Sequence, residues 1–161
     1  MTNAPMETTS SIVWSLSTIV EPSSVPPEPA PSTTPGSVRL VNGAGPHEGR
    51  VEIFYNGTWG TVCDNYWSLK DGLVVCCQLG YPGVVSVYKQ AHFGEGTGPI
   101  LFDNLLCKGN EGNLTQCRSG DVNCDHSEDA GVRCVSTSVS PSSTVRAPKH
   151  KYDCRYSLHQ L

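Results

Sequence analysis

The sequence predicts a small α+β domain held together by disulfides. Three observations carry that reading. Seven of the eight cysteines fall within residues 38–135. The same span holds all three Phe and two of the three Trp. Its residue pattern gives several short strand-prone runs and one good helix. The chain has 161 residues, enough for one ordinary domain. Residues 1–37 contain no Lys or Arg and are dominated by Ser, Thr and Pro, as in "SSVPPEPAPSTTPG". Residues 136–146 repeat that character in "STSVSPSSTVR". Such segments have too little apolar surface to offset the entropy of ordering them. Three parts are therefore expected: a disordered Ser/Thr/Pro-rich segment over 1–37, a domain over 38–135, and a flexible basic tail over 136–161 that carries Cys154.

Within the domain, "SVRLVNG" (37–43) reads as a first strand closed by an Asn-Gly turn. "GRVEIFYNGTWGTVCD" (49–64) reads as a β-hairpin, in which Val51–Tyr55 and Thr58–Cys63 flank "NG", the strongest short turn signal. "WSLKDGLVVCCQLG" (67–80) reads as a helix: Ser68 is the N-cap, Asp71 follows three residues later, and Gly80 closes the C-terminus. Leu69, Leu73, Cys76 and Gly80 share one face, while Lys70, Val74, Cys77 and Tyr81 line the next. The face with two leucines looks inward, which makes Cys76 a framework cysteine and displaces Cys77 toward the rim. "HFGEGTGPILFDNLLC" (92–107) is a Gly-rich loop entering a buried strand near Ile100–Phe102, "NEGNLTQC" (110–117) a short helix, and "AGVRCV" (130–135) a last strand.

Charge divides along the same boundaries. The head has three acids and no bases, the domain 7 Lys/Arg against 11 Asp/Glu, and the tail 4 against 1. An acidic domain argues against nucleic acid as a partner, since phosphate binding needs a basic stripe. Disulfide-dense cysteine usage implies an oxidising, extracellular location, secreted or in an ectodomain. The sequons at Asn56 ("NGT") and Asn113 ("NLT") agree with it. The longest apolar run, "SIVWSLSTIV", is too short and too interrupted to span a membrane, so no direct membrane insertion by this segment is expected. It is also a poor signal peptide, because Glu7 and no base precedes it. The chain reads better as a piece of a larger extracellular protein or an incomplete gene model.

Read together, "VRLVNG…EGRVEIFYNGTWGTVCDNYW…VVCCQLGY…FGEGTGPILFDNLLCKGNEGNLTQC…NCDHSEDAGVRC" closely resembles the scavenger receptor cysteine-rich (SRCR) domain over residues 38–135. The resemblance implies a short curved antiparallel sheet packed around one main helix. The family has six- and eight-cysteine forms, and the extra pair of the larger form would fall at His47 and Tyr81, neither of which is Cys. The chain thus looks group A-like, with six framework cysteines. The family pairing, carried over, is Cys63–Cys124, Cys76–Cys134 and Cys107–Cys117, each contributing roughly 3–4 kcal/mol by loop closure. Cys77, where the family usually has an exposed Arg, and Cys154 are additions. Either they pair and clasp the tail to the helix, or Cys154 belongs to a neighbouring domain or misread exon and Cys77 is free or paired elsewhere.

The resemblance also implies candidate cation ligands. Asp64, Asn65 and Glu128 match a family calcium site in which the second residue is usually an acid; the amide supplies oxygen without charge, so the site is expected to be weak. A second set, Ser68, Asp103, Asn104 and Asn123, keeps only Asp103 as a charge and is weaker still. The plainer reading of Asp64 and Glu128 is hydrogen bonding around the disulfides, and Asp129 reads as a buried-turn acceptor. Bound calcium would let an acidic domain bridge to anionic ligands. The strand "VEIFYNGTW" resembles a stretch linked in the family to bacterial binding, but Val51, Ile53 and Trp59 read more simply as core. No catalytic motif occurs, so no enzyme activity is expected. A zinc site from Cys117, Cys124, His126 and Cys134 would need cysteines already assigned to disulfides, and none is expected. His47, His92 and His126 read as turn or surface residues. The function expected is an extracellular binding module for proteins, anionic glycans or bacterial surfaces. The alternative is an accessory domain of a larger secreted enzyme, such as a mosaic serine protease or a lysyl-oxidase-like protein. The loop "RSGDVN" between Cys117 and Cys124 is shorter than usual for the family and lacks its Trp-Gly, which bears on ligand specificity.

Overall fold

A computed structural model describes residues 33–136 and 151–154. The readings made for 1–32, 137–150 and 155–161 lie outside the described residues. Strands β1 (Val38–Asn42), β2 (Glu48–Tyr55) and β3 (Thr58–Val62) come first, followed by helix α1 (Leu69–Gln78). Then come β4 (Val84–Tyr88), β5 (Ile100–Leu106), β6 (Arg118–Gly120) and β7 (Gly131–Cys134). They form a single curved mixed sheet in the order β4-β7-β2-β3-β5-β6, with β1 also paired to β2.

The long strand β2 organises this sheet. One of its edges holds β1 in the register Val38↔Ile53 to Asn42↔Gly49. The other is shared by β7, at Glu48–Arg50, and β3, at Glu52–Tyr55. The β2–β3 connection is a two-residue turn in which Asn56 (φ 49°) and Gly57 (φ 81°) are both left-handed. That backbone matches strand twist and is why Asn-Gly occupies it.

The sheet departs from the expected antiparallel one at a single pair. β3 and β5 run parallel, with Thr61 opposite Ile100 and Val62 opposite Phe102. Between them the chain travels through α1, β4 and the Gly-rich loop, a crossover long enough to bring β5 in alongside β3 in the same direction. Strand β4, which no local pattern predicts, closes the other end by pairing with β7.

Helix α1 is buried more widely than one stripe. Every residue from Asp71 to Cys76 is buried, because β4 and β7 pack on one side and β5 with the turn Leu114–Gln116 on another. Gly72 permits this approach: a Cβ there would lie 2.6 Å from Val87 Cγ1. The core is filled by Val51, Ile53, Val62, Val75, Leu105, Leu114 and Val132, all fully buried. Each such side chain contributes about 1.5–3 kcal/mol by leaving water. Trp67 adds a polar tie, its indole N–H donating to Gly131 O at 2.9 Å.

The ordered domain reaches past 38–135 at both ends. Gly36 N donates to Phe54 O (2.7 Å) and Phe54 N to Ser37 O (2.8 Å), extending the β1 edge backwards. Residues 151–154 return to the domain, with Cys154 N donating to Pro82 O (2.9 Å) and a bridge between Gly83 and Asp153. This part of the tail is therefore docked rather than loose.

Candidate ligand-binding face

All eight cysteines are paired: Cys63–Cys124, Cys76–Cys134, Cys77–Cys154 and Cys107–Cys117. Six cysteines thus account for three of four bridges, and the clasp between Cys77 and Cys154 is the fourth. Cys76 points into the core and Cys77, its neighbour, sits half-buried at the rim. The sulfurs of the zinc set drawn from Cys117, Cys124 and Cys134 lie in three different bridges, so none is available to His126 as a thiolate.

Around Cys63 and Cys124 the two candidate cation sets adjoin. Asp64 N donates to Glu128 O at 2.8 Å, which places these two acids side by side. Asp64 Oδ2 accepts from Gln90 N (2.6 Å). Its other oxygen and the Glu128 carboxylate accept no hydrogen bond from the described residues. Asn65 turns the other way: its amide N–H₂ lies 3.4 Å from Asp103 Oδ2 and 3.4 Å from Cys63 Sγ.

The second set does not assemble as a cation site. Asp103 is fully buried; Oδ1 accepts from Asn104 N (2.6 Å) and Oδ2 from Asn123 N (3.0 Å). Its charge braces the loop that ends at Cys124. Asn104, in a left-handed backbone (φ 53°), gives its amide to Asp121 O, and the Ser68 hydroxyl donates to Asp71. Cys63, Asp103 and Cys124 do bring ligand-type atoms within 4.8 Å of one another, but both sulfurs are spent in a disulfide.

Beside Asp64 and Glu128 runs the loop 89–99, fastened at its backbone by four side chains. Gln90 N is held by Asp64. Gly94 O accepts from Arg50 Nη1 at 2.9 Å. Gly96 N donates to buried Asp129 at 2.7 Å. Gly98 O accepts from His126 Nε2 at 3.0 Å. These anchors hold Gln90 (φ 55°) and Ala91 (φ 45°) in consecutive left-handed conformations that cost energy in isolation. His126 is more than a surface histidine. Burial opposes its charge, but the Gly98 carbonyl and the Asp129 carboxylate, 3.0 Å from Nδ1, face both ring nitrogens and hold its pKa above the ordinary value. Arg50, itself paired with Glu52 at 2.8 Å, was not singled out from sequence; nothing local marks it as a loop anchor. His92 is exposed and stacks on Tyr88 with ring centroids 4.4 Å apart, and His47 is half-buried.

The hairpin stretch "VEIFYNGTW" turns mainly inward. Val51 and Ile53 are fully buried, and Trp59 is half-buried beneath the Arg39 guanidinium, 4.2 Å from its ring centroid. The two sequons also differ. Asn56 is exposed on the hairpin tip. Asn113 caps the turn Leu114–Gln116, accepting from Thr115 N (2.9 Å) and Thr115 Oγ1 (2.8 Å), with its amide nitrogen 3.4 Å from Gly36 O. Asn56 should therefore carry the glycan while Asn113 stays unmodified. Mass measurement before and after glycosidase, with Asn56→Gln and Asn113→Gln, checks this; an Asn113→Gln variant that loses a glycan's mass would refute it.

The sequence profile of the scavenger receptor cysteine-rich domain matches residues 41–135, more than half of the chain. The chain belongs to the scavenger receptor cysteine-rich family. This SRCR domain is 58% identical over 102 residues to the macrophage scavenger receptor types I and II of Bos taurus, covering 62% of this chain and 22% of that protein. The Mus musculus counterpart is 53% identical over 108 residues, covering 65% and 24%. The chain thus spans about a quarter of the length of these curated relatives. Among solved structures, the third SRCR domain of murine neurotrypsin matches with a TM-score of 0.58 and 53% identity, covering 60% of this chain and 94% of that one. The dimeric form of the SRCR domain of mouse MARCO matches at 0.50 and 41%, covering 61% and 94%. Both share the SRCR fold of curved sheet and single helix described above. Among the described residues no helix is long and apolar enough to cross a membrane.

Proposed function

We propose that the chain is an extracellular recognition module of the scavenger-receptor type, taking proteins, anionic glycans or bacterial surfaces as ligands. The observation that carries this reading is the kinship over residues 41–135 with macrophage scavenger receptors. Full pairing of the cysteines supports an oxidising location. It also leaves none of the eight cysteines as a free thiol nucleophile. Within this reading the domain is of the six-cysteine kind with one added clasp. The positions of the larger form's extra pair bond to other residues here: Tyr81 Oη donates to Pro46 O (2.8 Å), and His47 O accepts from Cys134 N (2.7 Å).

Recognition is assigned to the face built by Asp64, Asn65, Glu128 and the anchored loop 89–99. Without Asn65, whose amide faces Asp103 and Cys63, Asp64 and Glu128 would hold a weakly bound calcium ion. Its chemistry would be a local positive charge, able to bridge to sulfate, phosphate or carboxylate on a surface that otherwise repels them. The four anchors would keep the adjoining backbone fixed, so that a ligand need not order it.

The test is retention of the domain on a panel of anionic glycans and bacteria, in calcium and in chelator. Binding is expected in calcium and lost in chelator. It should fall at least about tenfold in Asp64→Asn and Glu128→Gln at unchanged melting temperature, as loss of a charged ligand from a weak calcium site implies. No retention under either condition would leave the domain a scaffold and sink the reading.

A further inference from the structure

The four bridges do not stand in equal surroundings. Cys63, Cys76 and Cys134 are essentially fully buried, and Cys107 and Cys117 nearly so. Cys124 is half-buried, but its partner Cys63 has no exposed surface. Cys77–Cys154 is the pair in which both members are partly exposed. A thiolate must approach a disulfide along the S–S axis, so access to both ends favours attack.

The clasp is also separable from the structure it adorns. Among the described residues it holds 151–154, tied by contacts that include Cys154 N to Pro82 O (2.9 Å), Val84 N to Tyr152 O (3.3 Å) and the Gly83–Asp153 bridge. Cys154 Sγ lies 3.0 Å from Tyr81 O; a disulfide sulfur carries no hydrogen, so this is a contact and not a hydrogen bond. Losing these ties leaves β4 paired to β7 along Val84–Tyr88, and leaves α1 joined to β7 by Cys76–Cys134. Tyr152 has a second role. Together with Tyr66, Leu69, Lys70 and Leu106 it lines a surface groove of about 490 Å³. Tyr66 and Leu106 are 70% and 52% exposed, so the tail forms a wall of a groove whose other side is open apolar surface.

We propose that Cys77–Cys154 is a reducible clasp: a site of thiol–disulfide exchange set apart from the three framework bridges, whose opening by a dithiol releases residues 151–154 and removes one wall of the groove. In the exchange, a thiolate of the dithiol bonds to one sulfur of the pair and expels the other as a thiolate. The dithiol's second thiolate then displaces the first bond. The dithiol leaves as its own disulfide, having given up two electrons and two protons. Cys77 and Cys154 take up both and become thiols.

Graded dithiothreitol on the native chain, quenched with N-ethylmaleimide and mapped by peptide mass, tests this. Cys77 and Cys154 should be labelled at least about tenfold faster than any of the other six, following accessibility. Over that interval the domain should keep a cooperative thermal transition. Labelling of any framework cysteine at an equal rate would overturn the proposal, as would loss of the transition in step with opening of Cys77–Cys154. A C77S/C154S double variant supplies a second check. It should retain the transition and the same three remaining bridges, and a variant without a transition would count against separability. Tryptic cutting after Lys151 gives a third readout: the Cys154 peptide should stay attached to the oxidised chain and leave after mild reduction.

Discussion

Replacing Asp71 with Ala should cost the domain about 3–5 kcal/mol, because it strips a buried acceptor from three donors at once. Asp71 is 1% exposed. Its Oδ2 accepts from Ser68 N (2.9 Å) and Ser68 Oγ (2.5 Å), closing the first turn of α1. Its Oδ1 accepts from Cys107 N (2.9 Å) at the end of β5. One carboxylate therefore caps the helix and fixes the strand end that carries a framework cysteine. Alanine would leave the Cys107 N–H buried without a partner and free α1 to fray from its N-terminus. Thermal unfolding by circular dichroism should show a drop of more than about 10 °C for a domain of this size. Asp71→Asn, which keeps one acceptor, should fall between the two. A melting temperature within about 2 °C of wild type would show that the capping network is not what positions α1.

Removing the Cys76–Cys134 bridge should be comparably severe. Both cysteines lie in the core, with Cα atoms 5.5 Å apart, and they join α1 to β7 across 58 residues of chain. Loop closure on this scale contributes about 3–4 kcal/mol, most of what a core this small has in reserve. A Cys76→Ser/Cys134→Ser double variant should lose cooperative unfolding near 37 °C, seen as a broad near-ultraviolet transition. A sharp transition at the wild-type temperature would mean that apolar burial alone suffices. The contrast with Cys77, one residue away on the same helix, follows from helix geometry: neighbours diverge by about 100°, so one sulfur is structural and the other peripheral.

How much of this was legible follows from the range of each signal. The β2–β3 hairpin was, since Asn56-Gly57 requires nothing beyond its flanking strands. So was α1, because Ser68, Asp71 and Gly80 are local capping chemistry. Strand β4 was not: its burial runs from Val84, in the core, through exposed Val85 to half-buried Ser86, Val87 and Tyr88, without clean alternation. Its partner β7 is also far away in sequence. The parallel pairing of β5 was hidden because direction is set by the crossover and not by the strand's composition. Among candidate ligands, residue types picked out both sets, but only packing shows that both Asp103 oxygens accept hydrogen bonds, whereas among the described residues the Asp64 carboxylate accepts through one oxygen and that of Glu128 through neither. The loop anchors Arg50 and His126 lie 44 and 28 residues from the carbonyls they bind, beyond any local pattern.

The parallel seam between β3 and β5 bears on how the molecule is made. Its strands sit on either side of the helix and of β4, so neither can template the other until most of the polypeptide has emerged and collapsed. Three of the four cross-links likewise join partners 58 to 77 residues apart, against 10 for Cys107–Cys117. High contact order of this kind slows productive collapse and leaves thiols time to mispair. The nascent domain therefore depends on a compartment that reshuffles sulfur bonds while the distant halves find one another.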